Sequence, residues 1–239
     1  MTTKVLPATS GAADTPGRGR TAGAAGEPGR TAAGVRGFTL MELLIVIAIL
    51  GVLAVAFLPR IIGGQEAAKI SETKARMVTV QSIAEAYARK ASRGYYPPAD
   101  FTDPEGKAKP RADANNAGIE SFVYFTHQKS EGYETLEGRL DWLVNTDGDD
   151  NGAPIPLLQT SKKMEVADGW GNPIAYFNSE SGYDKPQTYV DVTGGTQTVR
   201  AARLPGGGHL APRKFQLLSA GPDGKFGTED DITVPELPR

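Results

Sequence analysis

Apolar residues dominate one stretch of the chain, FTLMELLIVIAILGVLAVAFL, from Phe38 to Leu58. As a helix rising about 1.5 Å per residue it is roughly 31 Å long, which matches a hydrocarbon core of about 30 Å. Past Pro59 the pattern becomes polar and helix-favouring as far as about Arg93. Within it Ile70, Met77, Val80, Ala84, Tyr87 and Ala91 recur at three- and four-residue spacing, the mark of an amphipathic helix. Pro59 removes a helical hydrogen bond and Gly63-Gly64 have poor helix propensity, so a kink or melted turn is expected between Pro59 and Gly64. Tyr95-Tyr96-Pro97-Pro98 stops the helical period, and 100–118 reads as a surface loop. A short second helix is expected at 119–125 or 136–144. Strands are expected at 174–177, 187–192, 198–202 and 215–218, between Gly- and Pro-bearing turns. The sum is an α+β chain in which one long N-terminal helix lies on a small antiparallel sheet.

Charge orients this pattern. Residues 1–37 hold Lys4, Arg18, Arg20, Arg30 and Arg36 against Asp14 and Glu27, with almost nothing apolar, so the segment cannot offset its ordering entropy and reads as a disordered leader. A basic leader stays in the cytoplasm, which sends everything after Leu58 across the membrane: a single span over 38–58. The chain therefore divides into leader 1–37, long helix 38–93 and globular domain 94–239.

Composition narrows the function. The net charge of −2 argues against a nucleic-acid binder. Cysteine is absent, which excludes disulfides, thiol catalysis and Cys-rich zinc sites. His127 and His209 lie far apart in sequence. No nucleophile elbow, phosphate loop, HExxH or His–carboxylate arrangement occurs, so an enzyme is not expected. Ala54-Val55-Ala56 would suit a secretory signal peptidase. Against that reading stands Glu42, inside the apolar run. A carboxylate deep in a membrane helix costs about 2.5–3.5 kcal/mol on insertion scales and is functional by default.

The junction Arg36-Gly37-Phe38-Thr39-Leu40-Met41-Glu42-Leu43-Leu44 resembles the class III signal of type IV pilins and type II secretion pseudopilins. The resemblance implies that a prepilin peptidase cuts between Gly37 and Phe38 on the cytoplasmic side and methylates the new terminus. Glu42 then becomes the fifth mature residue, and Pro59 falls where many pilins have proline. It also implies a pilin-like fold, in a protein anchored in the bacterial inner membrane with its C-terminal domain in the periplasm. Copies would polymerise with themselves, alongside minor pseudopilins and an inner-membrane assembly platform. Two roles follow: a subunit of a periplasmic secretion pseudopilus, or a surface pilin for adhesion, motility or DNA uptake. Cleavage leaves an α-amine on Phe38, and pairing of that amine with Glu42 of another copy would set the register of a filament.

Two further segments carry information. Asp168-Gly169-Trp170-Gly171-Asn172-Pro173-Ile174-Ala175-Tyr176 resembles a DxWGNP segment of the major pseudopilin and reads as a tight turn entering a strand, with Trp170 packed on the helix. In the C-terminal stretch from Phe215 to Ile232, a strand feeds a loop with Gly221, Gly224 and Gly227, then Glu229, Asp230 and Asp231. Clustered oxygen donors at flexible turns suit calcium. The stretch also resembles the calcium loop of the major pseudopilin, which implies Asp223 and Asp231 as ligands, Asp230 and Ser219 next, and a carbonyl from Leu217 or Leu218. With no disulfide available, an ion would close this loop. The run 147–152 matches the first half of an EF-hand loop, but Leu158 stands where a bidentate Glu is needed, so it reads as an acidic turn, with a second calcium as the alternative.

Overall fold

The computed structural model describes residues 37–90, 94–102 and 115–238, without the side chains of 56–63, 151 and 153. The leader up to Arg36, Ala91 and most of the 100–118 segment lie outside the described residues, as does the side chain of Pro59. The chain divides into two compact units, Met1–Leu50 and Gly51–Arg239.

Helix α1 spans Leu40–Lys90. Its backbone stays helical through Pro59, Gly63 and Gly64, so the expected melted turn is absent. Proline removes only one hydrogen bond, and the helix-favouring Gln65-Glu66-Ala67-Ala68 that follows sustains the rest. In the first unit the apolar side chains from Leu40 to Leu50 are exposed. Among the described residues no helix is long and apolar enough to cross a membrane. The described side chains of the apolar run end at Val55, short of Leu58.

In the second unit α1 buries the face its spacing predicted. Met77, Val80, Ile83 and Ala84 are fully covered, with Ile70 packed alongside. Helix α2 (Ala117–Thr126) brings Ile119, Phe122 and Val123 into the same cluster. Among the described residues nine short strands follow: β1 (Leu143–Val144), β2 (Asp150–Ile155), β3 (Thr160–Lys162), β4 (Glu165–Val166), β5 (Ala175–Asn178), β6 (Gln187–Val190), β7 (Thr196–Val199), β8 (Phe215–Ser219) and β9 (Ile232–Val234). They form four small antiparallel sheets, β1-β4, β2-β3, β5-β8-β9 and β6-β7, where the pattern predicted one. The four expected strands appear as β5 to β8 within a few residues of their bounds. The other five are too short, or too poor in apolar residues, to leave a period in the sequence. At 136–144 only a 3-10 turn, Leu140–Trp142, and β1 are present.

One histidine shapes the end of α2. His127 is fully buried, with Nδ1 2.8 Å from the Val123 carbonyl and Nε2 accepting the Leu136 amide at 2.9 Å. Acceptance of the Leu136 amide at Nε2 holds only for the neutral ring. Burial pushes its pKa down to about 4, against a smaller opposing effect of the Val123 bond. The unfolded chain, with an ordinary histidine near 6.5, therefore binds the extra proton first. Stability from this group is complete above about pH 6.5 and is lost as pH falls toward 4, by about 3 kcal/mol. Denaturant unfolding at pH 7 and 4.5 checks it: His127→Gln should flatten the acid loss, and an unchanged slope would refute it.

Candidate functional site

The start of α1 is capped from its own sequence. Thr39 sits just before the helix, and its amide and hydroxyl both donate to Glu42 Oε2 at 2.9 Å. Glu42 N–H donates back to Thr39 Oγ1 at 3.2 Å. This is a reciprocal capping box, spelled by Thr39-x-x-Glu42 and missed when Glu42 was read only as a buried charge. Gly37 and Phe38 lie just ahead of the helix, with Phe38 80% exposed. The expected cleavage junction and the acid are thus within about one turn of each other.

At the other end of the chain the tight turn Asp168–Asn172 is clamped to α1. Gly169 N–H donates to Thr73 Oγ1 at 2.8 Å, and Arg76 Nη1 donates to the carbonyls of Ala167 and Asp168 at 2.9 and 3.2 Å. The approach is so close that a Cβ on Gly169 would stand 2.5 Å from the Lys69 carbonyl oxygen. Trp170 packs on the main core cluster, as expected of a scaffold turn.

The C-terminal loop leaves β8 at Ser219 and enters β9 at Ile232, residues paired directly across the sheet. Leu217 and Leu218 pair with β5 on one side and β9 on the other, which engages their backbone groups in the ladder. Ser219 is fully buried, and its hydroxyl donates to Asp168 Oδ2 at 2.7 Å while accepting the Gly221 amide at 3.2 Å. Ser219 thus links the loop to the Asp168 turn. Asp230 accepts from the Asp223 amide at 3.0 Å and from the Thr228 hydroxyl, and Asp223 accepts the Lys225 amide at 2.7 Å. Asp231 Oδ2 accepts the Gly227 amide at 2.8 Å, while its Oδ1 is buried with no hydrogen-bond partner. Burial raises the Asp231 pKa, the Gly227 bond opposes this, and the charges of Asp230 and Asp223 raise it further. An unsatisfied carboxylate oxygen that feels the charges of two other acids suits a hard cation, although the oxygens of Asp223, Asp230 and Asp231 do not gather within 4.8 Å of one another.

Among the described residues, a group of acids whose oxygens do gather lies elsewhere. Oxygens of Glu120 (α2), Asp147 and Glu165 (β4) all lie within 4.8 Å of one another, and this trio could hold a metal ion. Burial pushes Glu165 up to about 8, opposed by Asn116 and reinforced by the Asp147 charge. Lys163 lies beside them, 3.9 Å from Glu120 and in contact with Asp149. Only Asp147 carried any prior signal, through the acidic run at 147–152; Glu120 and Glu165 are brought to it by the fold.

Residues 33–58 match the family described as the prokaryotic N-terminal methylation motif, a stretch that includes Gly37, Phe38 and Glu42. Over 204 residues, 83% of this chain and 89% of the relative, it is 28% identical to the type II secretion system core protein G of Escherichia coli (strain K12). No solved structure matches.

Proposed function

We propose that this chain is a structural subunit of a type II secretion pseudopilus, processed after Gly37 and polymerised through the first part of α1. The observation that carries this reading is the methylation motif at 33–58 joined to similarity along most of the chain to a core secretion protein. That similarity favours the secretion fibre over a surface pilus. The role is structural rather than enzymatic.

In this reading the globular part takes a pilin-like fold, and the exposed apolar side chains of Leu40–Val55 are covered by lipid before assembly and by other copies after it. The subunit waits in the bacterial inner membrane, its segment 38–58 spanning and its C-terminal domain in the periplasm. Its partners are a prepilin peptidase, further copies of itself, minor pseudopilins and an assembly platform. Phe38 supplies a cationic terminus after cleavage, and Glu42 of a neighbouring copy supplies the opposite charge. Asp231, with Asp223 and Asp230, holds calcium in the C-terminal loop; the ion would neutralise three crowded acids and close the loop. Terminal sequencing and mass analysis of the protein from its native membrane test the reading. A methylated phenylalanine at residue 38 is expected. A start at Met1, or at Phe57 as ordinary signal-peptide cleavage requires, would defeat it.

A further inference from the structure

We propose that Asp168 is a positioning residue for the cation loop, acting through Ser219; the inference rests on the calcium reading above. Asp168 is 1% exposed, yet its carboxylate is fully engaged. Oδ1 accepts the amides of Trp170 at 2.9 Å and Asn172 at 3.0 Å, which shapes its own turn. Oδ2 reaches across to a different element, accepting the Ser219 hydroxyl at 2.7 Å.

That second contact has a directional consequence. With its proton committed to Asp168, the Ser219 oxygen can only accept from the other side, and it accepts the Gly221 amide at 3.2 Å. Gly221 is the first sharp bend of the loop, at φ +63, where a Cβ would stand 2.3 Å from the Asp230 carbonyl oxygen. The bend therefore presses the loop's outgoing strand against its returning one, next to Asp231. Ser219 also pairs across the sheet with Ile232, the residue after Asp231. A single residue thus meets both ends of the loop, its hydroxyl at Gly221 and its backbone opposite Ile232, and Asp168 decides which way that hydroxyl points. Arg76 and Thr73 anchor the Asp168 turn to α1, so the carboxylates of the loop are referenced to the long helix. Groups that orient ligands through such hydrogen bonds typically change metal affinity about 10–100-fold when removed.

The test is calcium titration of the full chain in detergent micelles, by competition with a chelating indicator, for the parent, Asp168→Asn, Ser219→Ala and the double variant. Asparagine still accepts the Trp170 and Asn172 amides but cannot accept the serine hydroxyl through its NH₂ end. Each single variant should bind calcium at least about tenfold more weakly, and the double no more weakly than either single, because both break one link. Unfolding in chelator shows that the variants remain folded, and Ser219→Ala serves alone if Asp168→Asn does not. Equal affinity in all the chains, or additive losses in the double, overturns the link. A parent that binds no calcium overturns the cation reading itself and this proposal with it, and that result is distinct from equal binding by all four.

Discussion

Glu42→Gln should stop copies from associating while leaving the subunit folded. Glutamine serves in a capping box as glutamate does, so the Thr39 amide and hydroxyl keep an acceptor and the start of α1 keeps its cap. What disappears is the negative charge. In the assembled fibre the Phe38 amine of a neighbour would then lie unpaired among apolar side chains. An uncompensated charge in that setting costs about 2.5–3.5 kcal/mol, on the order of a hundredfold in each contact, repeated at every subunit. Cross-linking in membranes and electron microscopy of fibres read the outcome. Glu42→Ala separates the two roles of the residue, since it loses cap and charge together. If glutamine assembles as well as glutamate and only alanine fails, the acid is a helix cap and the charge-pairing idea is wrong.

Calcium should raise the melting temperature of the chain, and a chelator should remove the gain. At free calcium a hundredfold above its dissociation constant, binding to the folded state alone adds about 2.7 kcal/mol, roughly 5–10 °C for a domain of this size. Asp231→Asn should abolish the shift, because it removes the charge behind the one loop carboxylate oxygen that is buried without a hydrogen-bond partner. Thermal unfolding with and without calcium measures both effects. A calcium shift that survives Asp231→Asn but vanishes in Glu165→Gln would move the ion to the Glu120, Asp147 and Glu165 trio. No shift in the parent chain would end the calcium reading.

These two expectations differ in how far the sequence leads to them. Glu42 and the glycine before Phe38 are conspicuous because their meaning is local, one acid and one junction in a single apolar run. Even the cap was legible, as Thr39-x-x-Glu42. The loop acids were conspicuous too, but their roles were not. Ser219 stands out only as a hydroxyl beside the loop, and the fold alone supplies its partner Asp168, fifty-one positions away. Leu217 and Leu218 read as strand residues, and only the fold makes β8 the central strand of its sheet, paired on both sides.

The sequence by itself determined the long helix, the face it buries, the four strands from β5 to β8 and the methylation motif around Phe38. Each is set by residues a few positions apart, where spacing along the chain is distance in space. Only the tertiary structure decided that one antiparallel sheet would be four, that Glu120, Asp147 and Glu165 would meet, and that Asp168 would hold Ser219. Those contacts join residues tens of positions apart, and no local period or propensity encodes which distant partner a buried polar group will find.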